Sequence, residues 1–224
     1  VIDLETGKLA NAKNPKKWPK MFQHHARFVR PVTVSEQIPP VQITLPNGQV
    51  VRSDEEDVDE RLTESFSRRV KLHSPSVEAV QFEGYVPEEV KELPDRGTVF
   101  TRQSPNETFF DIGMIHIITT NTIDALRKLT PTSRIEARRF RPNIIIDVPN
   151  MEGFVEETWV GKTIHIGEQV RLKIMQPTKR CVMTTLAQGD LPNDINVLRT
   201  LVKENDGHFG VYAEIEQTGK IHVN

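Results

Sequence analysis

The single thiol of this chain, Cys181, stands in the run Pro177-Thr178-Lys179-Arg180-Cys181-Val182-Met183-Thr184-Thr185, directly after two cations and among three threonines. Nearby positive charge lowers a thiol pKa, so this setting could yield a thiolate that binds a soft metal or attacks an electrophile. The same residues also fit an inert cysteine packed as a small hydrophobe, and composition leaves both readings open. A second run, Arg138-Arg139-Phe140-Arg141-Pro142-Asn143-Ile144-Ile145-Ile146-Asp147, sets Arg141 and Asn143 two residues apart. On an extended chain that spacing puts both on one face. Arg141 offers a planar fork for phosphate or carboxylate, and Asn143 can donate to and accept from a heterocycle edge. Pro142 cannot donate to a ladder, so the stretch belongs at a sheet edge or strand start, where a ligand can reach it. A solvated basic edge strand is the alternative.

Other chemistries lack their residues. The pair His24-His25 and the scattered His73, His116, His165, His208 and His222 show no helical i, i+4 or finger-like spacing, which argues against a zinc site built from histidines. No G-x-S-x-G elbow and no glycine-rich phosphate loop occurs, so serine hydrolases and ATP, GTP or NAD(P) enzymes are disfavoured. The acidic run Asp54 to Asp57 reads as a helix N-terminus, where the dipole favours anions, and carries no chemistry. Of the carboxylates, Asp147 and Glu156-Glu157 are read as lying near the basic strand, and solvation at the surface explains them.

Composition narrows the classes. Lys plus Arg number 29 against 31 Asp plus Glu, for a net charge of -2. That balance excludes a nucleic-acid protein working through bulk positive field, and leaves any charged ligand to be held locally. The longest apolar stretch, Ile112 to Ile118, is interrupted by Gly113 and His116 and falls far short of the roughly 20 residues of a membrane-spanning helix. One cysteine cannot form an intrachain disulfide, which suits a reducing compartment, and the cytoplasm is the expected home. At 224 residues the chain has room for one large domain and a smaller one. It opens on Val1-Ile2-Asp3-Leu4 before the turn signal Glu5-Thr6-Gly7, as if a strand were already under way, so a missing natural N-terminus is expected.

The elements that must position these residues are mostly strands. Phe28 to Val34 and Val41 to Leu45 are β-rich, and Asn47-Gly48 turns the second into Gln49 to Arg52. Val58, Leu62 and Phe66 give a short amphipathic helix within Ser53 to Ser67. Pro75 to Asn106 reads as a long irregular connection, with a soft domain boundary near Pro75. A β-α-β pattern follows: Phe109 to Thr119 extended, Asn121 to Leu129 helical with Asn121 as N-cap, and Arg139 to Val148 extended. Thr163 to Ile166 and Gln169 to Gln176 form a hairpin at Gly167-Glu168, a helix opens at Pro192-Asn193 and closes at Asp206-Gly207, and Phe209 to Gln217 turns at Thr218-Gly219 into Lys220 to Val223. Many strands and few short helices predict a mainly β, α+β fold whose sheet curls into a barrel.

Taken in order, Phe140-Arg141-Pro142-Asn143, Trp159, Ile164-His165-Ile166-Gly167, Arg180-Cys181 with Thr184-Thr185, and Phe209-Gly210 resemble the signature of the MOSC domain. That module ends molybdenum cofactor sulfurases and occurs in mitochondrial amidoxime-reducing component proteins. The resemblance covers residues 75–224, while residues 1–74, with Asp3-Leu4-Glu5-Thr6-Gly7 and Ala12-Lys13, resemble the smaller β-barrel domain that precedes it. It implies a β-barrel holding molybdopterin, with Cys181 as the thiolate on molybdenum. Arg141 and Asn143 would grip the pterin and its phosphate, and Thr178, Lys179 and Arg180 would lie beside the metal. A soft thiolate can complete such a sulfur-rich site. Active relatives remove oxygen from N-hydroxylated substrates. No cysteine set for an iron-sulfur cluster is present, so electrons would come from a separate flavin or iron-sulfur protein. A non-redox carrier of the cofactor, or of persulfide sulfur on Cys181, is the alternative, and a barrel that merely mediates interactions is a third. Relatives also use a Lys-Ser pair and an Arg upstream of where this chain starts. The PLP domain of fusion sulfurases has no counterpart in this sequence, and neither nucleic acid nor membrane is an expected partner.

Overall fold

The computed structural model describes residues 1–33, 37–74 and 78–222, so the boundary expected near Pro75 lies outside the described residues, as do Val34 and Val223. The chain divides into two units, residues 1–85 with 99–109, and residues 86–98 with 110–224. Among the described residues, no helix is long and apolar enough to cross a membrane.

In the first unit β1 (Ile2–Asp3) pairs with β5 (Val70–Lys71), and β2 (His25–Phe28), β3 (Val41–Thr44) and β4 (Val50–Arg52) form an antiparallel sheet. Gly48 supplies the positive φ, +82°, that the β3–β4 turn requires. Helix α1 (Val58–Phe66) buries Val58 and Leu62 against Trp18, Ile43, Leu45 and Val51, as its four-residue spacing predicts. The stretch expected to be irregular contains a hairpin of β6 (Gln81–Tyr85) and β7 (Val99–Gln103). Its strands are too short to build a period, and the Pro94 and Gly97 that signalled a loop lie in its 86–98 connection.

The second unit is a five-stranded half-barrel in the order β10-β11-β12-β8-β9. These strands are β8 (Ile115–Thr119), β9 (Ile144–Ile146), β10 (Thr163–Ile166), β11 (Val170–Lys179) and β12 (His208–Gln217). Among the described strands of this unit β8 and β9 alone pair in parallel, joined by α2 (Thr120–Leu129), the crossover that a parallel pair needs. The register of β11 on β12 shifts at three places, and such bulges bend and twist a sheet. One face buries Ile117, Leu172, Ile174, Val211 and Ala213; the other packs Ile118, Phe140 and Phe209 against α2 and α3 (Ile195–Asn205). The mainly β, α+β expectation holds, with β9 and β10 as the sheet edges among the described residues.

Five local expectations change. The run Phe109 to Thr119 is strand only from Ile115, and the run Arg139 to Val148 only from Ile144 to Ile146. Thr119, not Asn121, caps α2, its hydroxyl accepting from the Thr122 N–H at 3.1 Å. Residues 218–222 form no returning strand. Glu156, expected at the surface, is fully buried and accepts from the Thr119 and Thr122 hydroxyls at 2.7 and 2.5 Å. Burial pushes its pKa up, against those two hydrogen bonds.

Candidate functional site

Pairing of β11 with β12 ends at Lys179 opposite His208. The next N–H, of Arg180, donates to the Gly207 carbonyl at 2.7 Å. Cys181 is extended, at φ -129° and ψ -176°, and the chain then tightens into a 3-10 turn over Val182–Thr185. Its carbonyl accepts from both the N–H (3.2 Å) and the hydroxyl (3.0 Å) of Thr184, which fixes the turn against the cysteine. Cys181 itself is half-buried, Lys179 is exposed, and Thr178 is fully buried with a hydroxyl that has no hydrogen-bond partner.

Arg141 and Asn143 do not share a face of an extended run. A 3-10 turn occupies Ala137–Arg139, and Arg141 sits at φ +55°, a left-handed conformation that strains a side-chain-bearing residue. Pro142 disfavours the right-handed helical region for the residue before it and favours extended backbone there, so the left-handed value departs from what the proline alone would set. Arg141 is exposed, and among the described residues neither its guanidinium nor the Lys179 ammonium has a hydrogen-bond or ion-pair partner. Asn143 is engaged locally, for its N–H donates to the His116 carbonyl and its Oδ1 accepts from the His116 N–H, both at 2.8 Å. The side chain thus stands in for one strand residue along the edge of β8. Asn143→Ala is expected to cost about 1–2 kcal/mol by orphaning that N–H, read as a lower urea midpoint, and Asn143→Asp, which keeps an acceptor, should lose less.

Behind the cysteine lies a cluster that the sequence did not announce. The Arg180 guanidinium turns inward, donating from Nη2 to the Phe140 carbonyl at 2.9 Å and lying 5.7 Å above the Phe140 ring, with its Nε buried and unpartnered. Phe140 stacks on Phe209 at 3.8 Å. His116 is buried, its Nε2 3.2 Å from the Phe209 carbonyl and 3.5 Å from Arg180 Nη1. Burial first, then the Arg180 charge, lower its pKa to about 4, so it is neutral at pH 7. Burial lowers the Arg180 pKa, while the fields of Cys181, Tyr212 and Asp111 support its charge and that of Arg141 opposes it. Arg180 therefore links the base of Cys181 to the residue preceding Arg141 and faces the core. Phe140, Arg180 and Phe209 stand in the ordered signature and His116 is a polar residue among the isoleucines of β8, but nothing local in the sequence joins the four.

The donor set limits what this site can hold. Among the described residues no group of three or more His, Cys, Asp or Glu could hold a metal. A metal at Cys181 would take one protein ligand and its remaining donors from a cofactor of its own. One thiol, two unpaired cations and a buried orphan hydroxyl fit a sulfur-ligated metal carried on an anionic organic group.

A family model for the MOSC domain matches residues 108–224, which include β8 to β12, Arg141, Asn143 and Cys181. No curated protein matches the chain. The MOSC domain is associated with molybdenum cofactor binding. With just over half of its residues matched, and with the half-barrel and its cysteine turn inside the match, the chain belongs to the MOSC-domain family.

Proposed function

We propose that this chain binds molybdenum cofactor through Cys181 and acts as an oxidoreductase that reduces N-hydroxylated compounds, with electrons from a separate flavin or iron-sulfur protein. The observation that carries this reading is a single thiol, half-buried in a strand-end turn two residues after the unpaired Lys179, within a family associated with that cofactor. Cys181 would be the protein's one ligand to the metal. Arg141 and Lys179 would take the phosphate, Arg141 through its bidentate fork and Lys179 as a point charge. Asn143 would offer its amide N–H to the pterin, since its oxygen already accepts from His116. The Thr178 hydroxyl is free to bond to the bound group, and Arg180 holds the turn from behind. When bound, the cofactor supplies two-electron removal of the hydroxyl oxygen from nitrogen, with two protons taken up, amine formed and water released. A reducing, cytoplasmic setting agrees with one free thiol.

The test is molybdenum and pterin content of the full chain beside Cys181→Ala, followed by turnover of an amidoxime with reduced viologen as donor. Stoichiometric metal, reduced at least tenfold in Cys181→Ala, with turnover lost in parallel, is expected. Bound cofactor without turnover would overturn the oxidoreductase assignment in favour of a carrier. No metal in the wild-type chain would overturn the whole reading.

A further inference from the structure

Arg139 is the largest fully buried side chain of the second unit at 1% exposure, yet it has no carboxylate hydrogen-bond partner among the described residues. Its guanidinium donates instead to three backbone carbonyls: Thr184 at 3.1 Å, Leu186 at 3.3 Å and Pro192 at 3.0 Å. A buried charge is costly unless its donors are matched, so its retention at this place requires a compensating role. All three carbonyls belong to the loop that follows Cys181, and Thr184 is the residue whose N–H and hydroxyl bond to the Cys181 carbonyl. Gln188 closes the loop from the other side, its amide donating to the carbonyls of Met183 (3.2 Å) and Arg139 (3.4 Å). Outside, Arg134 and Arg138 each pair with both Glu136 and Asp190, tying the tip of the same loop to the segment that carries Arg139. That outer ring is solvent-exposed and contributes little per pair. Arg139 is the dry connection.

We infer that Arg139 is a positioning residue, which acts through Thr184 to fix the backbone turn at Cys181 and so sets how the thiol is presented. The inference rests on Cys181 being the functional thiol of the proposed function. Because the chain has one cysteine, alkylation reports on that residue alone. The experiment is the pH profile of the iodoacetamide reaction with the metal-free full chain, for wild type, Arg139→Met, Arg139→Lys and Arg138→Met. Loss of the fork frees the turn, so the alkaline plateau rate should rise at least tenfold in Arg139→Met. Arg139→Lys, with fewer donors in the wrong geometry, should fall between, and Arg138→Met, on the outer ring, should stay within twofold of wild type. A merely structural arginine would lower the unfolding midpoint and leave the native-state profile unmoved. A folded Arg139→Met with a rate within twofold of wild type therefore overturns the inference. If Arg139→Met does not fold, the same criterion applies to Arg139→Lys and to Thr184→Val, which cuts only the hydroxyl bond to Cys181. None of these readouts needs molybdenum, so failure of the chain to load metal would sink the proposed function and leave this result standing.

Discussion

Gly210→Ala is expected to cost about 4 kcal/mol of folding stability, the sum of backbone strain and overpacking at one site. Gly210 lies at φ +85° in β12. A methyl group there would fall 2.6 Å from the Ile117 carbonyl oxygen and 2.7 Å from Ile118 Cγ2, and would overlap His116 Nε2 as well. The first of these is backbone in the adjacent strand β8 and cannot swing aside. The glycine has a purpose that its neighbours reveal. Phe209 and Val211 are two residues apart, yet Phe209 packs in the α-helical core and Val211 in the core of the opposite face. An unbroken strand would send both to one face. Across from them, Pro177 pairs with Val211 and Lys179 with His208, so the one residue of β11 in between, Thr178, faces two of β12, Phe209 and Gly210, and Gly210 sits in a bulge that reverses the alternation. That reversal puts Phe209 under Phe140, which in turn lies beneath Arg180. Urea unfolding followed by far-UV circular dichroism measures the loss, and a cost below about 1 kcal/mol would show that the bulge can relax. Because the stack supports Arg180, any Gly210→Ala protein that folds should also hold Cys181 less firmly.

The same bulge shows what a sequence reading can and cannot reach. The β11 hairpin with β10, the α1 stripe and the crossover helix α2 are repetitive signals, in which several residues agree on one period and the elements follow. Arg141 could be picked out by type and by the proline after it, but its left-handed backbone breaks the extended run that the sequence suggests, and the inward turn of Arg139 beside it is made to carbonyls remote in sequence. Asn143 could be picked out as a versatile side chain, but that its oxygen faces the His116 N–H requires knowing that β9 lies parallel to β8. Glu156 read as a surface acid because nothing local distinguishes it from Glu157, and its burial comes from the Thr119 and Thr122 hydroxyls at the start of α2, 34 or more residues earlier. Periodicity exposes local elements; the site is assembled from single residues whose partners are distant, and these leave no periodic trace.

His116 gives the fold a pH effect of definite sign. The unfolded imidazole takes up a proton near its ordinary value of about 6.5. In the folded chain burial and the Arg180 charge hold it off until about 4. Between those values the unfolded state binds more protons than the native state, so stability must fall as the pH falls. The contribution is complete above pH 6.5 and exhausted near pH 4. Integrated over that window it comes to about 3 kcal/mol, at 1.36 kcal/mol for each pKa unit. Glu156 works with the opposite sign: its raised pKa means the native state keeps a proton that the unfolded state has released, so its penalty grows as pH rises above the ordinary carboxylate range. The two effects partly offset in the wild-type curve and separate in variants. Urea unfolding of the metal-free chain at intervals from pH 4 to 8 should show a steep rise in stability through pH 5 to 6. In His116→Gln, which keeps a donor for the Phe209 carbonyl, that rise should flatten, and in Glu156→Gln it should steepen. A His116→Gln profile parallel to wild type would mean that the imidazole keeps its ordinary pKa in the fold and is charged once the pH falls below about 6.5. Below that pH Arg180 would face a second positive charge 3.5 Å away, and could not hold the Phe140 carbonyl and the base of Cys181 in the arrangement the site requires.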